Sequence, residues 1–322
     1  MVRIGFHTPQ IDVRGSCTAL YDYAHYNEVL YGNTSVVLMP EYGLPPSDAV
    51  ALEKFRSRFY VKTYGSEGLD EAAESEGLDM VYFIKYGKND GICCKTIPSA
   101  IHCVFDLSEP HGKAYVAVSR ALAAKYGKGD DYVPHMIALK PDRSENLRES
   151  LGIPEDAVVI GRHGGMDTFN LAFAMQVITE VVQAREDIYF LFANTPKFFD
   201  HPRIIHIEKF GTDREKNRFL ATCDAGLEAG TMGHTSGYAL AEMSVHNRPN
   251  IVFHSPNLWN TAHLDMLGDT ALYFHDEVEF RSILINFNRE EMQKRDWFAY
   301  GDYTPEKVMV HFKEKIIDVC VQ

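Results

Sequence analysis

Residues 223–253 contain the side chains best suited to chemistry in this chain. The pattern predicts a strand ending at Glu228, a loop of small residues that includes Gly233, and a helix that starts at Ser236 and Gly237. Amide groups in the first turn of a helix have no partner within it, so they attract phosphate oxygens. Glu242 lies more than one turn further on, where its carboxylate could accept hydrogen bonds from ribose hydroxyls. An ordinary loop and amphipathic helix remain the alternative.

Residues 158–170 form a second candidate segment, in which a buried strand runs into Gly161-Arg162 and then into a glycine-containing turn. A guanidinium at the carboxyl end of a strand can hold a diphosphate through two parallel hydrogen bonds. The sequence thus predicts Arg162 as a phosphate ligand, and a surface arginine in a strand-to-helix loop remains the alternative.

Short apolar runs alternate with helical patterns along the whole chain, which is typical of parallel sheets covered by helices. Predicted strands are residues 2–7, 35–39, 60–63, 80–84, 100–105, 114–118, 157–161, 188–193, 204–207, 225–228 and 250–253. Predicted helices are residues 18–30, 51–59, 69–76, 120–125, 145–151, 170–185, 213–222, 236–246 and 304–319.

This α/β alternation occurs twice, so we expect two Rossmann-like domains that face each other across a cleft. The predicted domains are residues 1–140, with the helix of residues 304–322 packing back on them, and residues 141–303. Thr304 followed by Pro305 favours a helix start there. Ligands of such sheets bind at the carboxyl ends of the strands.

Composition and charge exclude several classes of function. The 322 residues carry a net charge of −13, whereas a nucleic-acid binder usually has a basic surplus, so we expect no nucleic-acid partner. The six cysteines show neither a C-x-x-C pair nor metal-ligand spacing, which predicts free thiols, a reducing compartment and no metal site. No signal peptide and no transmembrane run is evident, so the sequence predicts a cytoplasmic protein.

The order of the motifs resembles the C-terminal domain of the retaining glycosyltransferases of GT-B fold, in the large family-4 group. The signature of that group has a strand ending in Gly-Arg, an Ala-Asp-rich element, two glutamates around a glycine-containing loop, and a Gly-x-Pro-Val-Val strand. The matching segments here are Gly161-Arg162, Cys223-Asp224-Ala225, residues 234–242 and residues 247–252. The resemblance covers most of residues 157–275 and implies a GT-B architecture with an interdomain cleft.

The resemblance implies a nucleotide-sugar donor on the C-terminal domain. Its diphosphate would contact Arg162, and its ribose would contact Glu242. Further donor contacts are expected from Thr235, Ser236 and Gly237 at the helix start, and from Lys209 and Phe210 beside the base.

Two positions depart from the family. His234 stands where the family has its first glutamate, so recognition of the donor sugar is altered or moved. Asp167 stands where the family has a lysine that helps neutralise the diphosphate, and Lys197 or Lys209 could replace that lysine.

The N-terminal half resembles the family more loosely. Arg14 and Gly15 follow the first strand, where the family has a glycine-rich loop that reaches towards the donor and acceptor. His102 and His111 lie in or after a strand that precedes an active-site histidine in relatives. Together with Arg162 and His234, these two histidines are the catalytic candidates, although a structural role for each remains the alternative.

The resemblance implies transfer of a hexose from a nucleotide sugar to a hydroxyl acceptor, a glycan or glycoprotein, with retention of configuration and without a metal or other cofactor. GDP-mannose is slightly favoured over UDP-sugars, because mannosyltransferases are abundant among the relatives. The alternatives are a nucleotide-sugar epimerase of the same fold and a non-catalytic sugar-nucleotide or glycan-binding protein. A nicotinamide dehydrogenase is disfavoured, because the first strand is not followed by G-x-G-x-x-G. Whether the chain forms a homodimer is left open.

Overall fold

The computed structural model describes residues 1–42 and 46–322, which divide into two compact units. The first unit comprises Met1–Ala138 and Asp302–Gln322, and the second comprises Leu139–Gly301.

The first unit is built on a six-stranded parallel sheet. Its strands are β1 (Arg3–His7), β2 (Thr34–Pro40), β3 (Tyr60–Tyr64), β4 (Met80–Lys85), β5 (Ser99–Cys103) and β6 (Ala114–Ala117), in the order β3-β2-β1-β4-β5-β6. Its first four helices are α1 (Gly15–Tyr31), α2 (Ala49–Arg56), α3 (Gly68–Ser75) and α4 (Arg120–Lys125). The inner strands are almost wholly buried, as expected for apolar runs covered on both faces.

The second unit has the same plan. Its strands are β7 (Val158–Arg162), β8 (Ile188–Ala193), β9 (Ile204–Ile207), β10 (Ala225–Glu228), β11 (Gly233–His234), β12 (Asn250–Phe253), β13 (Asn260–Thr261) and β14 (Ala271–Phe274). Six of them form a parallel sheet in the order β14-β12-β10-β7-β8-β9, and β11 pairs with β13 in a separate short ribbon. Its helices are α5 (Ala172–Ala184), α6 (Asp213–Thr222), α7 (Tyr238–Val245), α8 (Ala262–Leu267), α9 (Glu277–Asn286) and α10 (Arg289–Gln293). The predicted α/β class with two Rossmann-like domains is confirmed.

The C-terminal segment returns to the first unit and differs from the predicted single helix over residues 304–319. The α-helix α11 (Pro305–Phe312) passes into a π-helical turn over Lys313–Ile317 and then into α12 (Asp318–Val321). Thr304 occupies the N-cap position of α11, with Pro305 at the first helical position, but its side chain makes no capping bond. Phe312 stacks on Tyr23 of α1 at a centroid distance of 4.7 Å, which fixes the segment to the core.

The predicted helix over residues 145–151 is mostly wrong, because only Glu149–Leu151 forms a helical turn, of 3₁₀ type. The side chains of Asp142 and Asn146 accept hydrogen bonds from the amides two residues further on. These local turns compete with helix formation. Among the described residues, no helix combines the length and apolar character needed to cross a bilayer.

Candidate active site

The strand order of the second sheet reverses between β7 and β10, which are neighbours in the sheet. In open α/β sheets, ligands bind outside the carboxyl ends of the strands at this switch point. Here β7 ends in Arg162 and β10 ends in Glu228, and both side chains are buried. A cation and a carboxylate therefore flank the position where the fold favours a ligand.

Arg162 holds the loop that follows its own strand. One terminal nitrogen, Nη1, donates to Thr195 Oγ1 at 2.6 Å, and the other, Nη2, donates to the Gly165 carbonyl at 2.7 Å and to Thr168 Oγ1. Burial lowers the pKa of Arg162, while the charge of Glu228 acts in the opposite direction. In this structure the terminal nitrogens of the guanidinium are therefore hydrogen-bonded to protein groups. Arg162 would have to give up some of these bonds in order to donate to a bound diphosphate.

Two loops at this edge are locked together at Gly230. A Cβ at that position would lie 2.3 Å from the Thr168 carbonyl oxygen and 2.8 Å from Glu228 Oε1, so only glycine fits without displacement. The Thr231 amide donates to Asn170 Oδ1 at 3.0 Å. The loop after β7 and the loop after β10 thus form one continuous rim.

The buried Glu228 pairs with the half-buried His234, with Oε2 and Nε2 2.9 Å apart. Burial alone would lower the pKa of His234, but the charge of Glu228 raises it above its ordinary value. Burial alone would raise the pKa of Glu228, but His234, Arg162 and His263 hold it below its ordinary value. The His234 amide also donates to His263 Nδ1 at 3.2 Å, which fixes the short β11 strand. Each group therefore favours the charged form of the other, and the carboxylate comes from the strand end.

Glu242 is buried in α7 and meets a cation from a neighbouring helix. Lys216 Nζ of α6 donates to Glu242 Oε1 at 2.6 Å, and His163 Nε2 lies 3.6 Å from Oε2. Burial raises the pKa of Glu242, and Lys216 partly offsets this effect. Burial, Lys216 and Arg162 lower the pKa of His163 to about 3, so this imidazole is neutral.

The start of α7 has the backbone geometry expected of an anion-binding turn. Gly237 is the N-cap residue, with φ at +74°, and none of the described side chains caps the helix. A Cβ on Gly237 would lie 3.3 Å from both His263 Cβ and Tyr300 Oη, so the turn is also tightly enclosed. Thr235 is buried in the preceding bend, and Ser236 is half-buried.

Of the two residues predicted to lie beside the base, Lys209 and Phe210, it is Phe210 whose ring packs into this group. Its ring lies 5.8 Å from His163 and 5.1 Å from Phe219, between centroids, so it adjoins the residues around Glu242. Lys209 is exposed. Lys197 is also exposed and pairs with Asp200 at 2.8 Å. Lys216, and neither of these two, is the lysine that the fold brings to Glu242.

The N-terminal candidates do not share one environment. Arg14 is exposed at the start of α1, immediately before Gly15, and its Nε donates to Asp12 Oδ2 at 2.6 Å. His111 Nδ1 lies 2.8 Å from the Glu109 carbonyl oxygen.

The structure corrects the assignment of His102 to the active site. Its ring is fully buried, with Nδ1 2.7 Å from Tyr82 Oη and Nε2 2.8 Å from the Val133 carbonyl oxygen. Burial lowers the pKa of His102 to about 4, so the ring is neutral. Both nitrogens are used within the core, which is the arrangement of a structural histidine.

Sequence reasoning missed three residues of the site: Glu228, His163 and Lys216. Glu228 could have been found, because it is the last residue of a predicted strand and faces the predicted ligand edge. His163 directly follows Arg162, and its neutral form depends on burial that the sequence does not reveal. Lys216 lies on an otherwise ordinary amphipathic helix, and no local signal marks it.

No family model and no curated protein matches the chain. Solved structures do match over nearly its whole length. HepE from Anabaena, solved in complex with UDP and glucose, shares 10% identity at a TM-score of 0.70, covering 99% of this chain and 100% of that one. A glycosyltransferase from Rickettsia africae shares 12% identity at a TM-score of 0.62, with 99% and 98% covered. A protein named as a UDP-N-acetylglucosamine 2-epimerase, from Listeria monocytogenes, shares 12% identity at a TM-score of 0.59, with 97% and 96% covered.

At these identities the likeness shows the fold. The two six-stranded parallel sheets match the Rossmann-like domains of these neighbours. The chain therefore has the two-domain GT-B fold of glycosyltransferases.

Proposed function

We propose that the chain is a glycosyltransferase whose nucleotide-sugar donor binds at the carboxyl edge of the C-terminal sheet. The observation that carries this proposal is that Arg162 and Glu228 end the two neighbouring strands at the switch point, and that the uncapped helix α7 follows the second of these strands in the chain. Glu242 lies in the same helix, where it is buried and ion-paired. The fold shared with HepE, which was solved with UDP and glucose, supports the same donor class.

Each residue has a role that follows from its position. The amides at the start of α7 hold the diphosphate. Arg162 joins them once it has given up some of its bonds to the loop after β7. Together these groups stabilise the charge that develops on the diphosphate as the sugar leaves. Preorganised donors of this kind contribute several kcal/mol to catalysis. Glu242 binds the ribose, and Phe210 lies beside the base. The Glu228–His234 pair offers its remaining hydrogen-bonding groups to the transferred sugar.

In this proposal Lys216 provides a further positive charge for the diphosphate. In this structure its ammonium is bound to Glu242. When ribose hydroxyls occupy Glu242, the flexible lysine stem lets the ammonium turn towards the diphosphate. This movement would replace the lysine that the resemblance leads one to expect at Asp167.

The finer assignments rest on the resemblance alone. They are a retaining reaction, in which the acceptor hydroxyl attacks from the side of the leaving group, and an acceptor bound by the N-terminal unit, with Arg14 and His111 as the residues to test. The sequence-based preference for GDP-mannose gains no support from HepE, whose structures contain UDP or UDP-glucose. We therefore place UDP-sugars first in a donor screen, and GDP-mannose second.

The test is calorimetric titration of the wild-type protein and of Glu242→Gln with UDP-glucose, UDP-N-acetylglucosamine and GDP-mannose. The variant keeps the size of the side chain but loses the charge, so donor affinity should fall at least about tenfold, as for a lost charged hydrogen bond. Glu186→Gln, at an exposed position of the same unit, is the matched control and should bind like wild type. Equal affinity in all three proteins would remove Glu242 from the site.

A second candidate function, epimerisation of the nucleotide sugar, is favoured by the Glu228–His234 pair. Inverting a sugar carbon requires one group that removes a proton and one that returns a proton, and a carboxylate paired with a histidine supplies such an acceptor and such a donor. The Listeria neighbour carries an epimerase name. Incubating the protein with each donor in the absence of any acceptor separates the candidates, because only an epimerase gives a new nucleotide sugar. Binding without either reaction would favour a non-catalytic binding protein.

A further inference from the structure

Of the two tryptophans in the chain, Trp259 is the one that lies at the surface. The other, Trp297, is 2% exposed, and its Nε1 donates to the Met292 carbonyl at 2.7 Å. Trp259 is 58% exposed, although tryptophan is highly buried on average in folded proteins. A single exposed apolar side chain is ordinary, so the surroundings of Trp259 decide whether it has a function.

The short ribbon of β11 and β13 places a second exposed apolar side chain beside Trp259. Met232 immediately precedes β11 and is 47% exposed, and Trp259 immediately precedes β13. Gly233 pairs with Asn260 in parallel register, and the Asn260 amide donates to the Met232 carbonyl at 3.0 Å. Paired strands lie about 4.8 Å apart. Met232 and Trp259 are therefore neighbours at the same end of the ribbon.

The backbone of the ribbon is held by its own contacts. Asn260 is buried, and its Nδ2 also donates to the Met232 carbonyl, at 3.3 Å. Gly233 has φ at +61°, and a Cβ at this position would overlap the Asn260 carbonyl oxygen, so the two strands approach as closely as glycine allows. Apolar side chains on a fixed backbone lose less conformational freedom when a ligand binds, which favours binding.

Polar groups surround the apolar pair, and this combination indicates the class of ligand. Asn257 and Thr261 lie two residues before and two residues after Trp259, and both are exposed. Their amide and hydroxyl groups can donate and accept hydrogen bonds. A lipid chain or a protein partner would need a wider apolar surface than two side chains supply.

A sugar ring matches this combination of groups. One face of a pyranose ring carries C–H groups, and its edge carries hydroxyls. The face of an indole ring has partial negative charge and attracts such C–H groups, and the polarisable thioether of methionine adapts to their shape.

The apolar pair also lies close to the residues proposed to contact the transferred sugar. His234 of β11 pairs with Glu228 at 2.9 Å. His234 follows Met232 by two residues, which is about 7 Å along a strand. An acceptor has to hold its hydroxyl against the sugar that it receives, so a sugar-binding surface at this distance is suited to the acceptor.

We propose that Trp259 and Met232, with Asn257 and Thr261 at their edges, form a platform for the ring of an acceptor sugar. The ring packs on the indole and the thioether, and its hydroxyls bond to the amide and hydroxyl groups. The inference rests on the proposed function in naming this sugar as the acceptor. Binding of a sugar to the platform can be measured without any donor.

The first test uses the intrinsic fluorescence of the full chain, because Trp259 is the tryptophan that a soluble quencher can reach. Acrylamide quenching of the wild-type protein is recorded alone and with maltose, cellobiose, lactose, mannobiose or diacetylchitobiose. At least one of these disaccharides should protect the exposed tryptophan from acrylamide and shift its emission to shorter wavelength, because the sugar replaces water on the indole.

Three variants then locate the binding by calorimetry with the disaccharide that protects best. Trp259→Ala should bind it roughly five- to tenfold more weakly, the factor that corresponds to one aromatic contact. Trp259→Phe keeps an aromatic face and should keep most of the affinity. Tyr60→Ala removes an exposed aromatic side chain of the first unit and is the matched control, which should bind like wild type.

Nucleotide binding separates a failure of this inference from a failure of the proposed function. UDP should bind wild type and Trp259→Ala equally, because the platform contacts a sugar and not the nucleotide. If no nucleotide or nucleotide sugar binds either protein while a disaccharide protects Trp259, the proposed function fails and the platform remains as a sugar-binding surface.

Other results would overturn the inference itself. They are no protection of the tryptophan by any of the five disaccharides, equal disaccharide affinity of wild type and Trp259→Ala, or protection by vesicles of phosphatidylcholine and phosphatidylglycerol but by no disaccharide. Where wild type binds a nucleotide sugar, the protecting disaccharide should be extended in its presence. Binding of the disaccharide without extension would overturn its assignment as the acceptor.

Discussion

Replacing Gly230 with alanine tests whether the two loops at the switch point form one binding rim. The added Cβ would lie 2.3 Å from the Thr168 carbonyl oxygen and 2.8 Å from Glu228 Oε1. Normal contact distances require the loop after β7 to move away by about 1 Å, because close-packed structure absorbs added volume by shifting. Overpacking of this kind costs about 1–3 kcal/mol of stability.

The effect on ligand binding should be larger than the effect on folding. Arg162 is bonded to Gly165 and Thr168, so moving that loop also moves the guanidinium. A misplacement of about 1 Å can reduce the effectiveness of a site up to about 100-fold. We expect UDP to bind Gly230→Ala at least about tenfold more weakly than wild type.

Two measurements separate these effects. Urea unfolding followed by circular dichroism gives the loss of stability, and calorimetry under native conditions gives the affinity for UDP, or for the nucleoside diphosphate that binds wild type best. Gly301→Ala is the matched control, because a Cβ there would meet Phe298 at an ordinary 3.4 Å. If Gly230→Ala folds and binds the nucleotide as tightly as wild type, the rim is not part of the site.

Three further predictions concern charge and protonation. Arg148→Met should cost about 3–5 kcal/mol in urea unfolding, because it removes one of the two guanidinium partners of the buried Asp224, together with the hydrogen bonds of Arg148 to the Ala157 and Thr222 carbonyls. The folded-state pKa of His102, about 4, lies below its ordinary 6.5, so the stability that its neutral form provides is complete above pH 6.5 and is lost as the pH falls towards 4; His102→Gln should reduce this acid loss by about 3 kcal/mol. Lys216→Met removes the cation that offsets the effect of burial on Glu242, so the pKa of that carboxyl should rise further, and the loss of nucleotide affinity on acidification should begin at a higher pH than in wild type.

Each of these predictions has a clear contrary result. If Arg148→Met loses less than about 1 kcal/mol of unfolding free energy, the remaining partners of Asp224 are sufficient to stabilise its charge. A loss of this size is typical of an exposed ion pair. Identical acid unfolding of wild type and His102→Gln would mean that His102 does not govern acid stability. Coincident pH profiles of nucleotide binding would mean that Lys216 does not control the ionisation of Glu242.

Local sequence signals predicted the elements wherever their boundaries are marked strongly. The helix α6 and the strand β10 have the predicted bounds. A capping box at Thr212 and Glu215 starts α6 sharply. No element was predicted between residues 254 and 303, where the structure has β13, α8, β14, α9 and α10. Several of these are too short, at two to six residues, for a periodic pattern to develop.

Only those candidate site residues that lie at or just after the end of a strand could be predicted from the sequence. Arg162 and the start of α7 could be proposed from the sequence because a strand-to-helix turn has a sequence signature, and their role in binding stays a prediction. His102 was misassigned because its partners, Tyr82 and Val133, lie 20 and 31 residues away in the sequence. For the same reason the pairing of Lys216 with Glu242, across 26 residues, could not be read from either segment.

The most direct test of the proposed donor site is the position of a nucleoside diphosphate in crystals of the wild-type protein soaked with UDP or GDP. We expect the diphosphate within hydrogen-bonding distance of the amides that follow Gly237, with the ribose against Glu242 and Arg162 turned towards the phosphates. A nucleotide bound only at the carboxyl edge of the N-terminal sheet, or away from both switch points, would contradict it.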